Sequence, residues 1–163
     1  MRCFGVLFTA VLCSAFSGTL LHAQEAISQG PVSVAEQYLF TAANAERVQR
    51  GLQPLRWDGA LYRAAQGHVQ EMASRASISH QYSGELELAA RGRQAGARFS
   101  SISENVAQAS TAVRIQDAWM NSTGHRDNLL DPLIDAVGIS VLRRNGQLYA
   151  VEDFGHKIGR AHV

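Results

Sequence analysis

Two histidines stand where an imidazole could meet a ligand or move a proton. His80 follows a helical pattern in a polar, serine-rich stretch, Ser77-Ile78-Ser79-His80. His125 lies in Ser122-Thr123-Gly124-His125-Arg126, which reads as a helix end turning tightly through Gly124 into an exposed loop. Neutral imidazoles joined by a carboxylate suit Zn²⁺ or a similar cation, and a glutamate beside bound water can act as a general base. No local spacing rule names such a site, because the helical motif with two histidines four apart is absent from the sequence. Nor can a serine nucleophile be given its base and orienting acid. Ser122 falls at a helix end, where hydrogen bonding to the backbone is its expected job. The bland alternative for each loop histidine is a polar surface or capping residue. His68 falls on an apolar helical stripe and reads as a core histidine with satisfied ring nitrogens; His156 and His162 read as solvated tail residues.

Those side chains must be positioned by a single domain. The chain has 163 residues, 46% hydrophobic and 18% charged, enough for one core. Fifteen Lys+Arg against 14 Asp+Glu leave a net charge of +1, so no basic excess points to nucleic acid or an anionic membrane. Arg2 followed by an apolar run and Leu21-His22-Ala23 has the layout of a secretory signal peptide over residues 1–23. The run is interrupted by Gly5, Ser14, Ser17, Gly18 and Thr19, which makes it a poor spanning helix. Cleavage after Ala23 removes Cys3 and Cys13, and with them any thiol chemistry or disulfide. The expected product is secreted or periplasmic, with no membrane span after signal removal. Residues 24–33 read as a lead-in, 34–158 as the folded domain and 159–163 as a tail.

Ser33 with Glu36 has the shape of a capping box, so a helix is expected to about Arg50, stopped by Gly51. Asp58 caps a second helix whose stripe of Leu61, Ala64, Ala65, His68, Val69 and Met72 runs to about Ser74. Between them Leu52, Leu55 and Trp57 tie the connection to the core. A short helix is expected over Glu85–Gln94, a strand over Ile102–Ala107, and a helix over Thr111–Asn121 capped by Ser110 or Thr111. Trp119 on that helix reads as core. Ala136–Leu142 and Gln147–Phe154 flank Asn145-Gly146, a hairpin signal. Arg143 and Arg144 read as a solvated edge. Helices precede strands without regular alternation, so the class is α+β.

Several segments, in order, resemble the CAP superfamily, which includes cysteine-rich secretory proteins, antigen 5 and plant pathogenesis-related proteins, and most of all its shorter bacterial members without disulfides. They are Asn44-Ala45-Glu46-Arg47, Trp57-Asp58, Ser79-His80, Ser103-Glu104-Asn105-Val106, Trp119-Met120-Asn121-Ser122 through Gly124-His125-Arg126 to Leu130, Val137-Gly138-Ile139 and Asp153-Phe154-Gly155. The similarity runs from about Leu39 to Gly155, and the Trp119–Leu130 stretch is its most specific part.

The resemblance implies a three-layer α-β-α sandwich with a central antiparallel sheet. It also implies a surface cleft lined by two histidines and two acids, matched here by His80, His125 and Glu104, with a divalent metal, Zn²⁺ first, on those three residues. The second acidic position lands on Ala90, which has no ligand atom; Glu87 shares its helix face, and Glu85 is an alternative in the preceding turn. Asn105 either orients the cleft or satisfies backbone groups, the structural role being favoured. Arg126, Asp127 and Asn128 are expected to pin the loop after His125. Fold does not fix function. The first expectation is a secreted binding domain for a cation and a small or extended ligand. An extracellular peptidase or esterase using the same cleft is the alternative, and lipid or sterol binding, suggested for some members of the family, is the third. The ligand classes in view are a small molecule, a lipid or a peptide.

Overall fold

A computed structural model of the chain describes residues 30–156. The expected signal peptide, both cysteines, His162 and residues 157–163 lie outside the described residues.

The first helix, α1 (Val34–Gln49), begins where the sequence places it. Ser33 Oγ accepts from Glu36 N–H at 3.2 Å and Glu36 Oε2 accepts from Ser33 N–H at 2.8 Å, which satisfies two otherwise orphaned donors. Gly51, at φ 71°, closes the helix as the N–H of Leu52 reaches back to Arg47 O at 3.0 Å. Arg47 is 1% exposed. Its guanidinium donates to the carbonyls of Gln53, Leu129, Asp131 and Ile134 at 2.8–3.3 Å, clamping α1 to the far end of the chain.

A two-residue strand, β1 (Arg56–Trp57), leads into α2 (Gly59–Arg75), whose first amides are capped by Asp58 Oδ1 at 2.9 and 3.0 Å. Next come α3 (Leu88–Gln94), β2 (Ser101–Ala109), α4 (Ala112–Asn121, capped by Thr111), α5 (Thr123–Leu130), β3 (Ile134–Arg144) and β4 (Gln147–His156). Asn145 and Gly146 turn the β3–β4 hairpin at φ 49° and 75°, both positive as a type I′ turn demands.

The strands form one sheet in the order β1-β3-β4-β2. All pairings are antiparallel except β1 with β3, which is parallel and was not expected as a strand. Side chains alternate across this sheet. One face (Val106, Tyr149, Val151) packs on Ala65, Val69 and Met72 of α2; the other (Ala107, Ile139, Leu148, Ala150, Phe154) packs on Leu39 of α1, Ile115 and Trp119 of α4 and Leu129 of α5. The result is an α-β-α sandwich. Gly138 lets α2 approach the sheet: a Cβ there would lie 2.0 Å from the backbone nitrogen of Tyr62.

Three local expectations are corrected. Helix α3 starts at Leu88, not Glu85, because the Glu85 carboxylate accepts from Tyr82 N–H at 3.0 Å and holds a turn there instead. His125 is not in a loop after a helix. A new helix, α5, begins at Thr123, and Gly124 does not adopt a positive φ, so the chain bends at Ser122 without a left-handed turn. His156 ends β4, half-buried, 3.9 Å from Asp131.

Candidate functional site

Strand β2 is the outer strand of the sheet, and the two helical layers meet across its free edge. There a cavity of about 550 Å³ opens, lined by His80, Leu88, Glu104, Ser122, His125 and Asn128 among others. His80 comes from the segment between α2 and α3, Glu104 from β2, and His125 and Asn128 from α5. The fold therefore brings His80, Glu104 and His125 into one cleft. It does not bring Glu87, which is exposed at the α3 N-terminus, 3.6 Å from Arg93.

The His80 half is ionic. His80 Nδ1 lies 2.9 Å from Glu104 Oε1, while the other Glu104 oxygen is held by Arg91 Nη2. Arg91 also donates to the carbonyls of His80 at 3.1 Å and Leu86 at 3.2 Å, so one guanidinium fixes both the glutamate and the loop bearing the histidine. The bond to Glu104 raises the His80 pKa against the opposing effect of partial burial. Behind it His68, fully buried, has Nδ1 2.6 Å from Glu85 Oε1 and Nε2 2.7 Å from Ser79 O. Both ring nitrogens are thus satisfied, as expected of a core histidine. Glu85 serves this ring and not the cleft.

The His125 half is built from neutral groups. Asn105, fully buried, donates from Nδ2 to His125 O at 3.0 Å and to Glu152 Oε2 at 3.2 Å, and its Oδ1 accepts from Asn128 at 3.1 Å. Asn105 thus fixes the backbone of α5 beside the cleft, and Asn128 and Arg126 pin what is a helix and not the expected loop, the former to Glu104 O at 3.2 Å and the latter to Met120 O at 2.9 Å. The His125 pKa is lowered, first by burial and then by the neighbouring positive charge on His80. Ser122 does not cap α5 with its side chain, so the helix opens at the cleft with an uncapped, partially positive N-terminus.

Of the three residues named for a divalent cation, Glu104 has both oxygens engaged in this arrangement, by His80 and by the Arg91 cation. Among the described residues no group of three His, Cys, Asp or Glu side chains stands ready to hold a metal ion. Around the two rings Arg91, His80 and the start of α5 supply positive charge, with Glu104 and Glu85 as the acids that face it.

Sequence reasoning missed Arg91, Glu152 and Asp153. The signal available was the pair of acids inside an otherwise apolar strand pattern, Leu148 to Phe154; both are fully buried. Arg91 gave no such sign, since a cation on a short helix reads as surface.

Residues 40–154 match the cysteine-rich secretory protein family, CAP. The Bacillus subtilis protein YkwD, itself uncharacterised, is 30% identical over 128 residues, covering 76% of this chain and 48% of that protein. A second relative, the B. subtilis membrane protein YlbC, also uncharacterised, is 29% identical and is covered over 33% of its length, so the chain spans half or less of these curated relatives. An extracellular protein with an SCP domain from Bacillus anthracis superposes with a TM-score of 0.69 at 27% identity, over 79% of this chain and 45% of that one. An outer surface protein of Borrelia burgdorferi shares the fold with a TM-score of 0.71 at 22% identity, over 76% and 93% of the two chains. With the match spanning most of the sandwich and both halves of the cleft, this chain belongs to the CAP family.

Proposed function

We propose that the protein is an exported binding domain whose cleft takes the carboxylate of a small or extended ligand such as a peptide. One observation carries this reading: His80, bonded to Glu104 so that its pKa is raised, and His125, whose pKa burial lowers, face one cavity beside the uncapped start of α5. An imidazolium and free helix amides favour an electron-rich group, and a neutral imidazole supplies a further hydrogen bond. The same positive surroundings disfavour the Zn²⁺ implied by the family resemblance. Export is supported by the signal-like residues 1–23 and by the extracellular description of the B. anthracis neighbour. In the described residues no helix is long and apolar enough to cross a membrane.

The test is calorimetric titration with short N-acetylated peptides carrying either a free C-terminal carboxylate or an amide, with ZnCl₂ as a separate arm. The free acid should bind more tightly than the amide, and its affinity should fall as pH rises through the raised pKa of His80, because the imidazolium is lost. Equal affinity for acid and amide, or zinc binding that displaces the acid, overturns the reading.

A second reading is hydrolysis of a peptide or ester bond. It is favoured by the opposed displacement of the two histidine pKa values, which leaves one ring able to donate a proton and the other able to accept one from water. Turnover lost in His125→Gln, with a bell-shaped pH profile in the wild type, would establish it; flat, uncatalysed rates would dismiss it.

A further inference from the structure

Strand β4 carries two adjacent acids, Glu152 and Asp153, both fully buried. Adjacent strand residues point to opposite faces, so the two lie in different halves of the sandwich. Register places Asp153 opposite Glu104 and Glu152 opposite Asn105, the two β2 residues that hold the cleft histidines. We propose that Glu152 and Asp153 are the positioning residues of the two-histidine cleft, Asp153 acting on His80 through Glu104 and Glu152 acting on His125 through Asn105.

On the ionic face, no donor among the described residues reaches either Asp153 oxygen. Asp153 instead stands directly opposite Glu104 in the β2–β4 ladder, on the same face of the sheet, which sets two buried carboxyl groups side by side. Two carboxyl groups share such a contact only when one of them carries a proton. The groups facing this pair are His68 from α2, Arg91 from α3, and Glu85 and His80 from the segment between those helices. Arg91 is the permanent cation of the cluster and is bonded to Glu104, not to Asp153, which leaves Asp153 as the acid of the pair. Burial acts in the same direction, raising the Asp153 pKa well above the ordinary carboxyl range. The Asp153 O–H then donates to Glu104 and orients the carboxylate that receives His80 Nδ1–H.

On the other face, Glu152 has one oxygen on Asn105 and the other without a partner among the described residues. Asn105 and Asn128 are the polar groups of that network, and no cation enters it. Glu152 fixes the rotamer of the Asn105 amide, which in turn fixes His125 O.

The experiment is NMR titration of the two imidazoles in the full chain as exported, with infrared difference spectra, and it needs no ligand, so its outcome is separate from that of the peptide titration. Asp153→Asn retains a donor and a neutral group. It should leave the His80 pKa where it is, while the wild-type-minus-variant spectrum shows, as a positive band, the carbonyl stretch of a protonated carboxyl. Asp153→Val removes the donor and should return His80 towards the ordinary histidine value. Glu152→Gln should preserve the His125 ring signals, and Glu152→Val should shift them. A His80 pKa that falls by about one pH unit in Asp153→Asn would mean that a charge was lost, and would overturn the assignment. So would unchanged histidine signals in both valine variants. If the valine variants do not fold, the asparagine titration and the infrared band still decide.

Discussion

The two faces of the sheet bury polar groups by different means. On the α2/α3 face, Glu104, Glu85, Arg91 and His68 form an ionic cluster under His80. On the α4/α5 face, Asn105, Asn128 and Glu152 form an amide-centred network under His125 without a cation. Both arrangements leave some buried polar atoms without a partner among the described residues, yet they set opposite charge preferences on two rings that line the same cavity. A pair of identical side chains is thereby made chemically unlike by what lies one residue behind each.

The comparison can be broken most forcefully at Arg91. Replacing it with Met leaves Glu104 and Glu85 buried without their cation. The expected loss is about 3–5 kcal/mol in urea denaturation, and a loss below about 1 kcal/mol would mean the cluster is not ionic. Asn105→Ala on the other face should cost less, about 1–3 kcal/mol, from unpaired buried acceptors. It should also speed amide exchange in α5 while sparing α2.

Glu152→Gln sharpens the comparison through pH. Burial pushes the Glu152 pKa up to about 8 from 4.5. The folded state therefore holds a proton that the unfolded chain releases, and wild-type stability falls as pH rises across that window. The slope is up to about 1.4 kcal/mol per pH unit. The glutamine variant should lose that share of the slope, gaining on wild type towards pH 8; parallel curves would show that Glu152 is not buried as a neutral acid. His80→Gln should change stability least, within about 0.5 kcal/mol, since its side chain is 61% exposed. Melting temperatures read that difference directly.

Local chemistry made much of this fold legible. Ser33 with Glu36, Asp58, Gly51 and Asn145-Gly146 each announce an element end because a cap or turn depends on neighbours a few residues away. The α2 stripe and the buried Trp119 follow from periodicity and size. The two-residue β1 did not show, since nothing local to Arg56-Trp57 demands pairing with Ala136 and Val137. His80, Glu104 and His125 were legible only through family resemblance. Their charge was not, because Arg91 acts on Glu104 and the start of α5 on the cleft only after folding. The zinc expectation came from ligand types and the family resemblance, and neither could show that Arg91 and His80 occupy both Glu104 oxygens.

Glu36 has a consequence of its own. One oxygen accepts from the amides of Val32 and Ser33 at 3.0 and 2.8 Å, and the other from Val141 of β3 at 3.1 Å. The carboxylate therefore fastens the entry of the domain to its sheet, like a latch whose catch lies more than a hundred residues downstream. A protease that trims the chain ahead of Val32 leaves that fastening whole, whereas one that cuts beyond Ser33 frees the first helix and a strand amide together.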